Sequence, residues 1–151
     1  HDNAKAQRIF SEFIRNKPGL AGAYTNMALI HSKNNEYDQS LTLINKAIQL
    51  NPKQSQAYNL RAQIMLKNGE IHKAKDDYIK AVELNPKYIN AQYNLALLYD
   101  IYLQEIELAI KHYKMALKKD SLLTPVNSNL ATAYSLTKDY DNATKTFNNW
   151  I

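Results

Sequence analysis

Apolar residues along this chain fall three and four apart, as in Tyr24, Met27, Ala28 and His31 and again in Leu41, Ile44, Ala47 and Ile48. That spacing predicts amphipathic helices in pairs. Between the two helices of a pair lie polar clusters, NNEYD at 34–38, NGEIH at 68–72 and TKDYD at 137–141, each suited to a tight turn with a capping carboxylate. The second helix ends at Asn-Pro, 51–52 and 85–86, because the residue before proline is pushed out of the helical region.

The pairs repeat. LNPK occurs at 50–53 and at 84–87, and prolines 18, 52 and 86 stand 34 residues apart. A second ruler is an aromatic or branched residue three before an alanine or a bulky residue: Phe10/Phe13, Ile44/Ala47, Tyr78/Ala81, Tyr113/Ala116 and Phe147/Trp150, in steps of 34, 34, 35 and 34. Small residues give two more, Ala6, Ser40, Ala74, Ala109 and Ala143 in second helices, and Ala28, Ala62, Ala96 and Ala131 in first helices. Four rulers that agree are the signature of a repeat array. The small residues predict close approach of paired helices, and Tyr24, Tyr58, Tyr78, Tyr99, Tyr113 and Tyr134 are expected to fill the gaps between them. Most of the eleven tyrosines are accordingly expected in the core.

The segments AYTNMALIH…EYDQSLTLINKAIQLNP and AYNLRAQIM…EIHKAKDDYIKAVELNP resemble the tetratricopeptide repeat family, a unit of about 34 residues with aromatic, small and proline positions of this kind. The resemblance implies an all-α, right-handed superhelical α-α solenoid of about nine helices, in which first helices line a concave side. It places the second helix of a partial repeat at 1–20, full repeats at 21–54 and 55–88, a third at 89–123 with one inserted residue, and a fourth at 124–151 that stops within its second helix.

The third repeat departs from its neighbours. YDIYLQEIELA replaces the polar turn, one residue is extra, and Ser121 stands where the others have proline. The first helix is expected to run long before a tighter turn. Ile101, Tyr102, Leu103 and Ile106 are expected to pack on the fourth repeat, with an exposed apolar patch as the alternative. The stretch resembles a variant found in repeat proteins of bacterial envelopes, which bears on compartment without deciding it. Gln92 and Asn127 stand where the family has an aromatic, and Arg61 where it has leucine, so individual contacts are expected to soften.

Composition changes this picture little. In 151 residues, 45% are hydrophobic, which is enough for a core, and three glycines and four prolines suit helices with short connections. No apolar run is long enough to span a membrane. With no cysteine, disulfides, thiolate metal sites and cysteine nucleophiles are excluded. The net charge of +5 mildly favours acidic partners.

Catalytic chemistry is not written here. Gly19, Gly22 and Gly69 are isolated and cradle no phosphate. His1, His31, His72 and His112 lie about one per repeat with no second ligand at helical spacing, and His31 falls at a core position. Asp76 and Asp77 are expected in water or paired with Lys73 and Lys80, and Ser40 and Ser128 have no base nearby. The expectation is a protein that is not an enzyme and takes no cofactor and no metal. Lysines between Lys111 and Lys119 are expected on a solvated second helix rather than on nucleic acid.

What remains is a binding surface. The resemblance places the groove at positions two, five, six, nine, twelve and thirteen of each repeat: Thr25, Asn26, Leu29, Lys33, Asn59, Leu60, Gln63, Leu66, Lys67, Asn90, Tyr93, Asn94, Leu97, Asp100, Ser128, Asn129 and Thr132. Asn26, Asn94 and Asn129 form a broken ladder, and a carboxamide both donates and accepts, as an extended peptide's backbone requires. Chaperone-binding members grip a terminal carboxylate with cations, whereas here those positions read Thr25, Leu29, Leu60, Asn90 and Asn94. The expected function is therefore a protein-interaction scaffold holding a peptide or protein segment by amide and apolar contacts. The alternative is self-association through Phe10, Phe13, Phe147 and Trp150 or through the 101–106 turn.

Overall fold

The computed structural model describes residues 2–118 and 123–148, and every element among them is helical. His1, Lys119, Ser121 and Trp150 lie outside the described residues. The chain divides into two compact units, His1–Leu84 and Asn85–Ile151.

The first unit contains α1 (Asp2–Asn16), α2 (Ala21–Lys33), α3 (Tyr37–Leu50), α4 (Ser55–Lys67) and α5 (Ile71–Leu84). Helix α2 pairs with α3 and α4 with α5 as antiparallel hairpins. Both hairpin turns end their first helix in the same way. Asn35 and Gly69 take the left-handed conformation at φ 63° and 79°. Glu36 N–H then donates to His31 O, and Glu70 N–H to Met65 O, each at 2.9 Å, which satisfies carbonyls a helix end would strand. The LNPK repeat has a local cause as well: Asn51 Oδ1 accepts from the Lys53 amide at 3.0 Å, and in the other unit Asn85 Oδ1 accepts from the Lys87 amide at 3.2 Å. An asparagine side chain thus shapes each connection that proline opens.

The core of this unit is Tyr24, Ala28, Ile44, Ala47, Ala57, Leu60 and Ile64. Ala28, Ala62 and Ala74 are fully buried, as the small-residue rulers predict. At Ser40 the hydroxyl donates to Ala28 O at 2.7 Å, so the polar member of that series binds the neighbouring helix it touches.

The second unit contains α6 (Ile89–Leu97), a π-helical turn (Leu98–Leu103), α7 (Ile106–Leu117), α8 (Thr124–Leu136) and α9 (Tyr140–Asn148). Its fourth-repeat turn matches those above, with Lys138 left-handed at φ 61° and Asp139 N–H donating to Tyr134 O at 2.9 Å. In the third repeat the equivalent bond runs from Glu105 N–H to Tyr99 O at 2.8 Å, one residue longer, with Gln104 left-handed at φ 56°. The inserted residue is therefore absorbed inside the helix by widening its last turn, and the exit geometry is kept. The first helix runs long, as the unbroken apolar sequence predicts.

Two expectations need correction. Ile101 and Tyr102 do not pack on the fourth repeat: they are 61% and 47% exposed, because the widened turn rotates them outward while Leu98 and Tyr99 take the buried places. The tyrosines are less uniformly core than the aromatic ruler implies. Tyr24, Tyr78, Tyr99 and Tyr113 are buried, Tyr102 and Tyr140 are exposed, and Tyr37, Tyr58, Tyr88, Tyr93 and Tyr134 are half-buried at hairpin margins.

Candidate binding surface on the first helices

The first helices of the pairs are α2 and α4 in one unit and α6 and α8 in the other, and the expected groove residues divide between them. On α2 and α4, Asn26, Leu29, Lys33 and Lys67 are exposed and Gln63 is half-buried. Thr25, Asn59 and Leu60 are each only 5% exposed and are no surface. The reason is local. Thr25 Oγ1 turns back onto Ala21 O at 3.4 Å, and Leu60 joins Tyr24, Ala28 and Ile44 in the core. Position five of α2 and positions five and six of α4 face a neighbour, whereas Asn26, at position six of α2, meets solvent.

The cation of Lys67 is held in place. Its ammonium donates to Tyr37 Oη at 2.9 Å and lies 5.0 Å from that ring's centroid, while Tyr37 Oη–H donates to Asn35 Oδ1 at 2.8 Å. Neither α2 nor α4 contains an aspartate or glutamate, so this face is basic.

On α6 and α8, Asn90 and Thr132 are exposed, and Tyr93, Asn94, Leu97, Asp100 and Asn129 are half-buried. Their polar groups form a network that the sequence does not announce. Asn129 Nδ2 donates to Tyr93 Oη at 3.1 Å, and Tyr113 Oη–H donates to Asp100 Oδ2 at 2.8 Å. The Tyr93 and Tyr113 ring centroids stand 6.0 Å apart. Burial, then the hydrogen bond to Asp100, holds the Tyr113 phenol well above its ordinary range. The face therefore carries amides and a carboxylate already oriented by neighbours, with Leu97 as an apolar member.

Two further polar clusters differ from the sequence expectation. Asp77 is 7% exposed and does not pair with Lys73 or Lys80. Arg61 grips it with Nε at 2.6 Å and Nη2 at 2.8 Å, and the remaining Nη1 reaches Asn45 Oδ1 at 2.9 Å. The hydrogen bond that Arg61 donates to Asp77 raises the Arg61 pKa further. Lys73 instead pairs with Glu70, and Lys80 with Glu83 at 3.8 Å. The signal was present: an arginine in a leucine position sixteen residues before an aspartate on the next helix.

Gln92, at an aromatic position, is buried and makes specific bonds rather than weak ones. Its Nε2 donates to Pro86 O at 3.0 Å, and its Oε1 faces His112 Nδ1 at 2.7 Å. His112 stacks on Tyr99 with centroids 5.6 Å apart. Burial, with some help from Lys111, lowers its pKa to about 4. Burial and then the Glu105 carboxylate push the Tyr99 phenol up. His31 pairs with Glu36 across its turn.

Among the described residues no group of three or more His, Cys, Asp or Glu side chains is placed to hold a metal, and no helix is long and apolar enough to cross a membrane. Hairpins of this kind with a polar and apolar first-helix face define a helical-repeat interaction module. Residues 21–54 and 43–76 each match a family model described as tetratricopeptide repeat, and the chain carries tetratricopeptide repeats over 21–76. Comparison by sequence with curated proteins gives no match.

Among solved structures, one of MamA is 21% identical, with 99% of this chain and 86% of that one covered and a TM-score of 0.81. A MamA structure from Desulfovibrio magneticus RS-1 is 20% identical over 97% of this chain and 82% of that one, at 0.75. PilF of Pseudomonas aeruginosa is 14% identical over 99% and 68%, at 0.87. At these identities the likeness shows the fold. Tetratricopeptide repeats serve as protein-interaction scaffolds and are typically not enzymes, and in that general sense the chain is such a scaffold.

Proposed function

We propose that the chain holds an extended or helical segment of a partner protein against the first helices of its repeats. Asn26, Leu29, Lys33, Gln63 and Lys67 serve on one unit, and Asn90, Tyr93, Asn94, Leu97, Asp100, Asn129 and Thr132 on the other. The observation that carries the reading is the Asn129 side chain, fixed by its bond to Tyr93 at 3.1 Å at the same repeat position as Asn94. An amide already oriented loses little freedom when it pairs with a peptide backbone, so it contributes more to affinity than a mobile one. The apolar members Leu29 and Leu97 accept side chains, and the basic α2–α4 face favours acidic ones.

The test is an Asn94→Ala/Asn129→Ala variant against any segment the chain is found to bind. A loss of about tenfold or more in affinity, with unchanged helix content, is expected for two lost hydrogen bonds. Unchanged affinity removes the amides from the mechanism.

A second reading, self-association, is favoured by exposed Ile9, Phe13, Leu136, Tyr140 and Phe147 on α1, α8 and α9. Sedimentation over a range of concentrations separates the two: a monomer throughout leaves the first reading, and a tight dimer displaces it.

A further inference from the structure

The widened turn of the third repeat and the start of α7 present a surface of their own. Ile101 and Tyr102 are 61% and 47% exposed on the π-helical turn, and Leu108, in the first turn of α7, is 36% exposed. Three large apolar side chains in water within eight residues of chain are unusual for a segment so well ordered by its neighbours. The order is visible in the Glu105 N–H bond to Tyr99 O at 2.8 Å, the Tyr99 ring stacked on His112, and the contacts of the turn with α6 and α7. The turn also holds a non-glycine residue, Gln104, in the left-handed region, a conformation that costs free energy and that the surrounding bonds sustain.

Charge distinguishes this surface from the rest of a basic protein. Residues 88–110 contain no lysine and no arginine, while they carry Asp100, Glu105 and Glu107. Asp100 accepts from Tyr113, but Glu105 and Glu107 are exposed and, among the described residues, make no ion pair, even with Lys111 four residues beyond Glu107. Uncompensated carboxylates beside exposed apolar groups complement a cationic, apolar surface and repel an acidic one.

We propose that this turn docks a basic amphipathic segment of a partner protein. Apolar side chains of the segment rest on Ile101, Tyr102 and Leu108, and its lysines or arginines sit beside Glu105 and Glu107. These five residues are distinct from those of the amide-bearing face of α6 and α8, and the site's charge preference is opposite to that of the α2–α4 face.

The test uses the whole chain and three synthetic probes: an amphipathic leucine–lysine peptide, its leucine–glutamate counterpart, and a serine–lysine peptide with the same charge and no apolar face. Fluorescence anisotropy reads binding to four proteins: the unaltered chain, Ile101→Ser/Tyr102→Ser, Glu105→Gln/Glu107→Gln, and Glu12→Gln/Asp76→Asn as a control for exposed acids elsewhere. All replaced side chains are exposed, so helix content and thermal midpoint by circular dichroism should stay unchanged in every variant. The expected result is preference for leucine–lysine over both other peptides, and a loss of about tenfold in each variant of the turn but not in the control. Equal binding of the serine–lysine peptide, or an equal loss in the control, means diffuse charge attraction and overturns the proposal. So does a chain that dimerises until Ile101 and Tyr102 are replaced, since the occupant is then a second copy. Because no residue of the amide ladder is altered, a negative result here leaves the Asn94 and Asn129 experiment undisturbed.

Discussion

Removing one partner of the Arg61–Asp77 pair should cost unequally, and the inequality follows from burial. The carboxylate of Asp77 is only 10% exposed, whereas the Arg61 side chain is 22% exposed and has a second acceptor in Asn45. Arg61→Ala leaves a nearly buried charge without its two donors. Complete burial would cost about 3–5 kcal/mol, and the remaining exposure reduces that to about 2–4 kcal/mol. Asp77→Ala leaves a guanidinium that can turn toward water and keep Asn45, at a cost of about 1–2 kcal/mol. The double variant should be less destabilised than the sum of the singles, with a coupling of about 1–2 kcal/mol. Urea unfolding followed by circular dichroism measures all three, provided the slopes agree among variants. Equal costs for the two singles, or a coupling near zero, would show that the pair is a surface ion pair worth little and would refute the burial argument.

Four further outcomes follow from the same geometry. Tyr113→Phe removes only the hydroxyl bonded to Asp100, and should lower stability by about 1–2 kcal/mol because the half-exposed carboxylate can rehydrate; thermal melts check it. Ala62→Leu puts three carbons where no surface is free, and should cost about 1–3 kcal/mol in urea unfolding. Lys138→Gly relieves a left-handed lysine and should stabilise the chain by about 0.5–1 kcal/mol, read as a higher thermal midpoint. His112 has a folded pKa lowered to about 4 against an ordinary value near 6.5, so the unfolded chain binds its proton first. Stability should therefore fall as pH drops from about 6.5 toward 4, by about 1–2 kcal/mol after allowance for the ring's partial exposure, and His112→Phe should flatten that part of the profile.

The repeat was legible in the sequence because its causes are local and periodic. Alanines at fixed intervals mark helix contacts, and Asn-Pro marks a connection whose asparagine really does bond two residues ahead. The longer first helix of the third repeat was legible for the same reason, since no breaker interrupts it. What could not be read was how the extra residue is absorbed. A widened turn and a longer turn satisfy the same sequence, and only the shift of the closing bond to Tyr99 distinguishes them. The candidate surface was harder. Thr25, Asn59 and Leu60 occupy groove positions by family resemblance, yet small rotations of a helix decide whether such positions meet solvent or a neighbour, and here they meet the neighbour. Asp77 was not legible because Lys73 and Lys80, four and three residues away on the same helix, are nearer in sequence than the arginine that reaches it in space.

If partner protein lies on the first helices of the repeats, photo-crosslinking shows it most directly, with a photoreactive side chain placed at Asn90 or Leu97 on α6 in one pair of variants and at Lys114 or Lys118, toward the far end of α7 from Leu108, in another. The α6 variants should form a discrete covalent adduct with a protein partner, and the Lys114 and Lys118 variants should give little or none. Adducts from Lys114 or Lys118 with none from α6 would contradict that placement.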